Sequence, residues 1–121
     1  MFEFARYLNI RSAYGGTFTP NGAQIAFLSN ITGVPQVWQV PIEGGWPEQL
    51  TFFSDRVSFV EYAPQHEHAV LGMDVGGSER TQLFLLTKRG EQCIPLTSEA
   101  PQAIHAFGGW SHDGLQIAFS A

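Results

Sequence analysis

Apolar residues occur in short alternating runs along this chain, and turn-forming residues separate the runs. Four such runs are Gln24 to Leu28, Gln36 to Ile42, His68 to Met73 and Thr81 to Thr87. Alternation over about four to eight residues is typical of β-strands, whereas an amphipathic helix would repeat every 3.6 residues. Both alternating faces of Gln24 to Leu28 are apolar, which predicts a strand that is covered on both sides.

One of these runs returns near the C-terminus together with the turn that precedes it. Pro20-Asn-Gly22 leads into Gln24-Ile-Ala-Phe27, and His112-Asp-Gly114 leads into Gln116-Ile-Ala-Phe119. A weaker copy, Ala69-Val-Leu71, occupies the equivalent position between them. Self-similarity at a fixed period indicates a repeat architecture, in which each copy is one supersecondary unit.

Three further landmarks keep their spacing in two copies of the repeat. A glutamine is followed by a glycine eight residues later and by Leu-Thr fourteen residues later, as Gln36, Gly44 and Leu50-Thr51 and again as Gln82, Gly90 and Leu96-Thr97. A period in the mid-forties with four strand-like runs in each unit is typical of four-stranded propeller blades.

The sequence therefore predicts an all-β fold, a partial β-propeller of about two and a half four-stranded antiparallel blades. The predicted blades occupy residues 14–53 and 54–99, and residues 100–121 form the first half of a truncated third blade. Residues 1–13 are predicted to form a short helical segment, because Phe4 and Leu8 lie four residues apart with no Gly or Pro before Gly15. This segment is expected to dock on the propeller through Phe4 and Leu8.

Composition narrows the classes of partner. The chain has 121 residues, a net charge of -5 and only 14% charged residues, and this acidic balance argues against nucleic acid as a partner. No apolar stretch approaches the length of a membrane span. The single cysteine, Cys93, has no partner for an internal disulfide and is predicted to be a buried, inert thiol, so a cytoplasmic location is expected.

Candidate chemistry is sparse. Ser111 lies in Gly109-Trp-Ser-His-Asp113, which does not form a nucleophile elbow, and nothing supplies an oriented acid and base. His66-Glu-His68 could place two metal ligands on one strand face, but no further ligand recurs at a supporting spacing, so turn and strand-start histidines are favoured. We predict no catalytic residue, no metal and no cofactor.

Two groups are candidate sites for substrate or for a domain interface. Asp74, Glu79 and Arg80 cluster in a loop and could bind a charged substrate end or a partner domain. Alternatively, Asp74 could cap the turn and Glu79 could pair with an arginine. His105 could line the central channel of a propeller or could be a core histidine satisfied by backbone. The sequence alone leaves both pairs of alternatives open.

Several segments together carry a resemblance to a known family. They are Tyr7-Leu-Asn-Ile-Arg-Ser-Ala13, Thr32-Gly-Val-Pro-Gln-Val-Trp38, Trp46-Pro-Glu-Gln-Leu-Thr51, Asp74-Val-Gly-Gly-Ser-Glu-Arg-Thr-Gln-Leu-Phe84 and His105-Ala-Phe-Gly-Gly-Trp-Ser-His-Asp-Gly114. With them the chain resembles the N-terminal propeller of the prolyl oligopeptidase family of serine peptidases, particularly its acylaminoacyl-peptidase and dipeptidyl-aminopeptidase-like branch. The pattern departs from the family at Asn21 and His112, where Asp and Pro are usual.

Two functional hypotheses follow. The resemblance implies a propeller that gates and filters short peptides for an absent C-terminal α/β-hydrolase domain, so that the fragment is catalytically inert alone while its parent hydrolyses peptides. The alternative is a TolB-like propeller scaffold for protein-protein interaction, since the Trp-Ser-x-Asp-Gly pattern is shared with that class. The exposed blade edges of such a fragment predict self-association into a homo-oligomer.

Overall fold

The computed structural model describes residues 13–77, 80–87, 90–97 and 105–120. Within these residues, turns and loops connect ten strands and one short 3-10 turn: β1 Ala13–Phe18, β2 Gln24–Ser29, β3 Gln36–Pro41, β4 Glu48–Gln49, β5 Val57–Tyr62, β6 Ala69–Asp74, the turn Val75–Gly77, β7 Thr81–Leu86, β8 Cys93–Pro95, β9 Ala106–Trp110 and β10 Ile117–Ser120. Within the described ranges no helix is long and apolar enough to span a bilayer.

The strands form three antiparallel sheets in sequence order. Strands β1 to β4 form one four-stranded sheet (blade 1), β5 to β8 form a second (blade 2), and β9 pairs with β10 alone (the half-blade). The predicted all-β class and the four-stranded antiparallel sheets are confirmed, and the sheets resemble propeller blades. The helix predicted over residues 1–13 lies outside the described residues except for Ala13, which is the first residue of β1.

Turn chemistry sets the hairpin between β1 and β2. The Asn21 carboxamide oxygen accepts hydrogen bonds from the hydroxyl of Thr19 at 2.8 Å and from the backbone N–H of Ala23 at 2.9 Å. The Thr19 hydroxyl also accepts the N–H of Gln24 at 3.2 Å. Gly22 completes the reversal at a φ of 70°, a backbone conformation that side chains disfavour. The residues that the repeat retains are thus the ones that close the turn.

The core lies between blade 1 and blade 2. Its buried residues come from both sheets: Ala26, Leu28, Val37 and Leu50 on the side of blade 1, and Val57, Val60, Ala69, Leu71, Met73 and Leu86 on the side of blade 2. All six residues of β6 are buried, because blade 1 covers one face of this strand and the half-blade approaches the other. The sheets therefore stack face to face, as the two-sided apolar pattern predicted.

A buried polar network fastens the outer strand of blade 1. The hydroxyl of Thr51 donates a hydrogen bond to the side-chain oxygen of Gln36 at 2.7 Å. The backbone N–H of Val37 donates to the Thr51 hydroxyl at 3.0 Å, and that of Phe53 donates to the Gln36 oxygen at 2.8 Å. Buried polar groups are stable only when they are paired in this way. The network holds the chain beside β3 although β4 itself has only two residues.

Blade 2 contains the same network. The Thr97 hydroxyl donates to the side-chain oxygen of Gln82 at 2.8 Å and accepts the N–H of Leu83 at 3.0 Å. The glutamine and the Leu-Thr pair that recur fourteen residues apart in the sequence are therefore the two ends of one repeated hydrogen-bond cluster.

Gly72 gives a testable case of close packing between the sheets. A Cβ atom there would lie 2.3 Å from Phe59 Cε1 and 2.9 Å from Thr81 Cγ2, so Gly72→Ala must displace the Phe59 ring, which stacks on Phe107 of the half-blade at 5.6 Å. We expect a loss of about 1–3 kcal/mol in the free energy of unfolding, measured by urea denaturation. Gly16→Ala is the control, since its Cβ would meet only ordinary contacts beginning at 3.7 Å. Equal stability of the two variants would contradict this account.

Candidate functional site

Asp74 ends β6 and lies at the centre of a small charged cluster. Its carboxylate accepts a hydrogen bond from Arg56 Nη2 at 2.7 Å and another from the Thr81 hydroxyl at 3.0 Å, and Asp74 is only 7% exposed. The carboxylate thereby joins the segment before β5 to the start of β7. Arg80 is exposed, and Glu79 lies outside the described residues. The burial of Asp74 and its two side-chain partners favour a role in holding the sheet together over a role in contacting a substrate.

His105 lies on the other side of the same threonine. The His105 backbone N–H donates to the carbonyl oxygen of Thr81 at 3.1 Å, and its ring Nδ1 lies 3.2 Å from that oxygen. The residue is 4% exposed, and its ring lies 5.8 Å from the ring of Phe119. The structure therefore brings Asp74 and His105 together through Thr81, with the histidine in the arrangement of a core residue bonded to backbone.

The Ser-His-Asp sequence at 111–113 forms a turn. The Ser111 hydroxyl donates to Asp113 Oδ1 at 2.6 Å and accepts the backbone N–H of Gln116 at 3.0 Å. Asp113 Oδ1 also accepts the N–H of Leu115 at 3.0 Å. These are the contacts that Thr19 and Asn21 make in blade 1. The serine is thus engaged in turn formation, not in the hydrogen bond to a base that an activated nucleophile requires.

Two hydrogen bonds lower the pKa of Asp113 below its usual value. The bond from the Ser111 hydroxyl has the larger effect, and the bond from the Leu115 backbone N–H has a smaller one. Because the folded pKa is depressed, the contribution of the carboxylate to stability is present at neutral pH and is lost as pH falls through the lowered pKa. We expect Ser111→Ala to raise the Asp113 pKa, measured by NMR titration of the carboxyl carbon. An Asp113 pKa that does not rise in this variant would contradict the assignment.

Two histidines of blade 2 hold the same turn of the half-blade. His66 Nε2 lies 3.1 Å from the carbonyl oxygen of Asp113, and His68 Nε2 lies 3.4 Å from that of Gly114. A carbonyl oxygen can only accept, so each ring donates from Nε2. The two rings stack at 5.2 Å and 4°. Among the described residues no group of three or more His, Cys, Asp or Glu could hold a metal ion.

Trp110 strengthens this contact between sheets. Its Nε1–H donates to the carbonyl oxygen of Glu61 at 3.1 Å, and its ring lies 5.3 Å from His68 and 6.4 Å from Phe107. The aromatic residue that opens the repeated turn therefore anchors the half-blade on β5 of blade 2.

Cys93 is half-buried at the edge of the core between blades 1 and 2. Burial raises the pKa of its thiol. The sequence predicts a buried, inert thiol, whereas the structure leaves Cys93 partly accessible; the raised pKa keeps the thiol protonated at neutral pH.

An apolar groove lies between blade 2 and the half-blade. It has a volume of about 450 Å³ and is lined by His68, Val70, Leu85, Leu96, Trp110, Gly114, Leu115, Gln116, Ile117 and Phe119. Leu115 is 69% exposed and Phe119 is 48% exposed. Exposed apolar residues beside a groove are typical of binding surfaces, so this groove is the candidate functional site.

The open edge of β10 forms one wall of the groove. Among the described strands β10 pairs only with β9. The Gln116 carbonyl accepts the N–H of Ser111 on the β9 side, so by the alternation of an antiparallel strand the backbone groups of Ile117 and Phe119 point to the open edge. In the two complete blades the corresponding edges of β2 and β6 pair with the next strand of the chain, β3 and β7.

The sequence predicts exposed blade edges, but it singles out none of the residues that line this groove. None of the candidates Asp74, Glu79, Arg80 and His105 lines it. The histidine contacts join residues 47 and 46 positions apart, so no local pattern indicates them.

Similarity to solved structures identifies the fold. No family model and no curated protein matches the chain. Among solved structures it is similar to TolB from Acinetobacter baumannii, with a TM-score of 0.73 and 22% identity over 90% of this chain, and to a TolB-type protein from Agrobacterium tumefaciens, with a TM-score of 0.62 and 22% identity over 69%. The chain spans 26% and 32% of the length of those two chains. It therefore has a TolB-like β-propeller fold.

Proposed function

We propose that this chain is a propeller-type scaffold that binds other proteins and has no hydrolytic chemistry of its own. The observation that supports this most directly is the apolar groove between blade 2 and the half-blade, beside which Leu115 is 69% exposed. Two polar side chains considered for chemistry form hydrogen bonds within the fold. Asp74 bonds Arg56 and Thr81, and Ser111 bonds Asp113.

Panning a random-peptide phage library on the immobilised chain tests this function. A scaffold should enrich peptides with a shared pattern, relative to an immobilised β-sheet protein of unrelated sequence. Incubation of the purified chain with dipeptide and acyl-peptide substrates should release no product. An absence of enrichment would contradict the binding function, and substrate hydrolysis that is lost on boiling would contradict the lack of chemistry.

The run from Asp74 to Phe84 favours a second candidate, the gate of a peptidase. It resembles the corresponding run in prolyl oligopeptidase propellers, where the hydrolase domain and short peptides would be the partners. Sequencing the coding region downstream of Ala121 distinguishes the two candidates. Further blades followed by a hydrolase with a Gly-x-Ser-x-Gly elbow would support the gate, and further blades without a hydrolase would support the scaffold.

A further inference from the structure

We propose that Asn21 is a site of spontaneous deamidation, that the folded turn between β1 and β2 restrains the reaction, and that the aspartate product keeps the contacts of the asparagine. The inference goes beyond the scaffold function and does not depend on it. Its basis is the Asn21-Gly22 sequence, the hydrogen bonds of this turn and the second copy of the turn at Asp113.

Of the three asparagines in the chain, only Asn21 precedes a glycine. Asn9 and Asn30 are each followed by an isoleucine. An asparagine deamidates when the backbone nitrogen of the next residue attacks its side-chain carbonyl carbon. A glycine in that next position has no Cβ to obstruct the attack, whereas a β-branched side chain does obstruct it. The local sequence therefore favours the reaction at Asn21.

Water is the only co-reactant that the reaction needs. The Gly22 nitrogen gives its proton to solvent and forms a bond to Asn21 Cγ, while the Cγ–Nδ2 bond breaks and ammonia leaves. Water then opens the cyclic imide at the side-chain carbonyl to give aspartate, or at the backbone carbonyl to give isoaspartate. Asn21, Gly22 and Ala23 are all exposed, so water reaches the site.

The folded turn holds both reacting groups in other bonds. The Gly22 N–H donates to the carbonyl oxygen of Thr19 at 2.8 Å, so the attacking nitrogen keeps its proton in a hydrogen bond. The Asn21 side-chain oxygen accepts bonds from the Thr19 hydroxyl at 2.8 Å and the Ala23 N–H at 2.9 Å, which fix the carboxamide. Attack therefore requires local opening of the turn, and each bond that favours the closed turn slows the reaction.

The half-blade shows how an aspartate fits the same position. Asp113-Gly114 matches Asn21-Gly22 in the repeat. Asp113 Oδ1 accepts the Ser111 hydroxyl at 2.6 Å and the Leu115 N–H at 3.0 Å, which are the two bonds that Asn21 accepts in blade 1. Hydrogen bonds to an ionised acceptor are stronger than those to a neutral one. An aspartate at position 21 can therefore hold the turn at least as well as the asparagine does.

Isoaspartate does not fit the turn in this way. Its backbone runs through Cβ and Cγ, which adds a methylene to the chain between Thr19 and Gly22, and its carboxylate is attached directly to Cα. Both changes displace the groups that bond Thr19 and Ala23. The two products should therefore differ in stability, with the aspartate form the more stable.

Ageing of the purified 121-residue chain at neutral pH, either folded in buffer or unfolded in urea, measures the restraint. Peptide mapping by mass spectrometry should find deamidation of Asn21 in the unfolded chain and a rate about tenfold lower or less in the folded chain. Asn30 is the internal control and should keep its amide in both samples. Equal rates in the two samples would overturn the restraint. Deamidation in urea that is no faster at Asn21 than at Asn30 would overturn the site itself.

Thr19→Ala removes the hydroxyl that bonds Asn21 and the backbone N–H of Gln24, and should accelerate deamidation of the folded chain by about tenfold. Thr19→Ser is the matched control. It retains a hydroxyl, as Ser111 does in the half-blade, and should change the rate by less than about twofold. Far-UV circular dichroism checks that both variants are folded. Equal rates in the two variants would overturn the restraint by this turn.

Asn21→Asp tests the product of the reaction. At neutral pH this variant should unfold at the same urea concentration as the unmodified chain or at a higher one. Asn21→Ala should unfold at a lower concentration, because the Thr19 hydroxyl and the Ala23 N–H lose their acceptor. Equal destabilisation by the two substitutions would overturn the claim that an aspartate keeps the contacts of Asn21.

Discussion

Leu71→Ala is expected to lower the free energy of unfolding by about 2–5 kcal/mol, the largest effect we predict for a single side chain. Leu71 is 0% exposed on β6 and belongs to the core between blades 1 and 2. Truncation would remove its transfer free energy and leave a cavity between two sheets, which can close only if the sheets move together. Urea denaturation followed by tryptophan fluorescence measures the loss.

Two control variants separate a cavity from a general effect of substitution. Leu71→Met retains the volume and should cost less than about 1.5 kcal/mol. Leu115→Ala removes the same atoms from a side chain that is 69% exposed and should change stability by no more than about 0.5 kcal/mol. If Leu71→Ala were no more destabilising than Leu115→Ala, the two sheets would not share the core described here.

Gln36→Leu is expected to lower the free energy of unfolding by about 3 kcal/mol, because each buried polar group left without a partner costs about 1–3 kcal/mol. The Gln36 oxygen accepts Thr51 Oγ1 and the N–H of Phe53, and its Nε2 donates to the carbonyl oxygens of Pro35 and Asp55, both at 2.9 Å. Leucine fills a similar volume but satisfies none of these groups. Chemical denaturation at constant pH measures the effect.

A double-mutant cycle tests whether the network acts as a unit. Thr51→Val combined with Gln36→Leu should be less destabilising than the sum of the single changes, with a coupling of about 0.5–3 kcal/mol. Gln92→Leu is the control for Gln36→Leu, because it makes the same chemical change at an exposed side chain and should leave the free energy of unfolding nearly unchanged. Additive effects at positions 36 and 51 would show that their hydrogen bond contributes nothing, and the repeated Gln and Leu-Thr spacing would need another explanation.

Local patterns determined the strands and their turns. Alternation predicted the second and third strands of each complete blade. Residues such as Asn21 and Gly22 determined a reversal through contacts within about five residues. Such contacts need no knowledge of the rest of the molecule, because backbone conformation and short-range hydrogen bonds decide them. The recurring Gln, Gly and Leu-Thr landmarks likewise determined that the unit is a four-stranded sheet.

Only the tertiary structure decided which side chains meet between sheets. His66 contacts Asp113 and Trp110 contacts Glu61 across separations of 47 and 49 residues, and neither contact has a local pattern. The groove between blade 2 and the half-blade also depends on how one sheet stacks on the next, since stacking decides which apolar faces remain exposed. The sequence by itself thus determined the blades, and the packing of blade on blade decided which side chains meet between them and which apolar surface lines the groove.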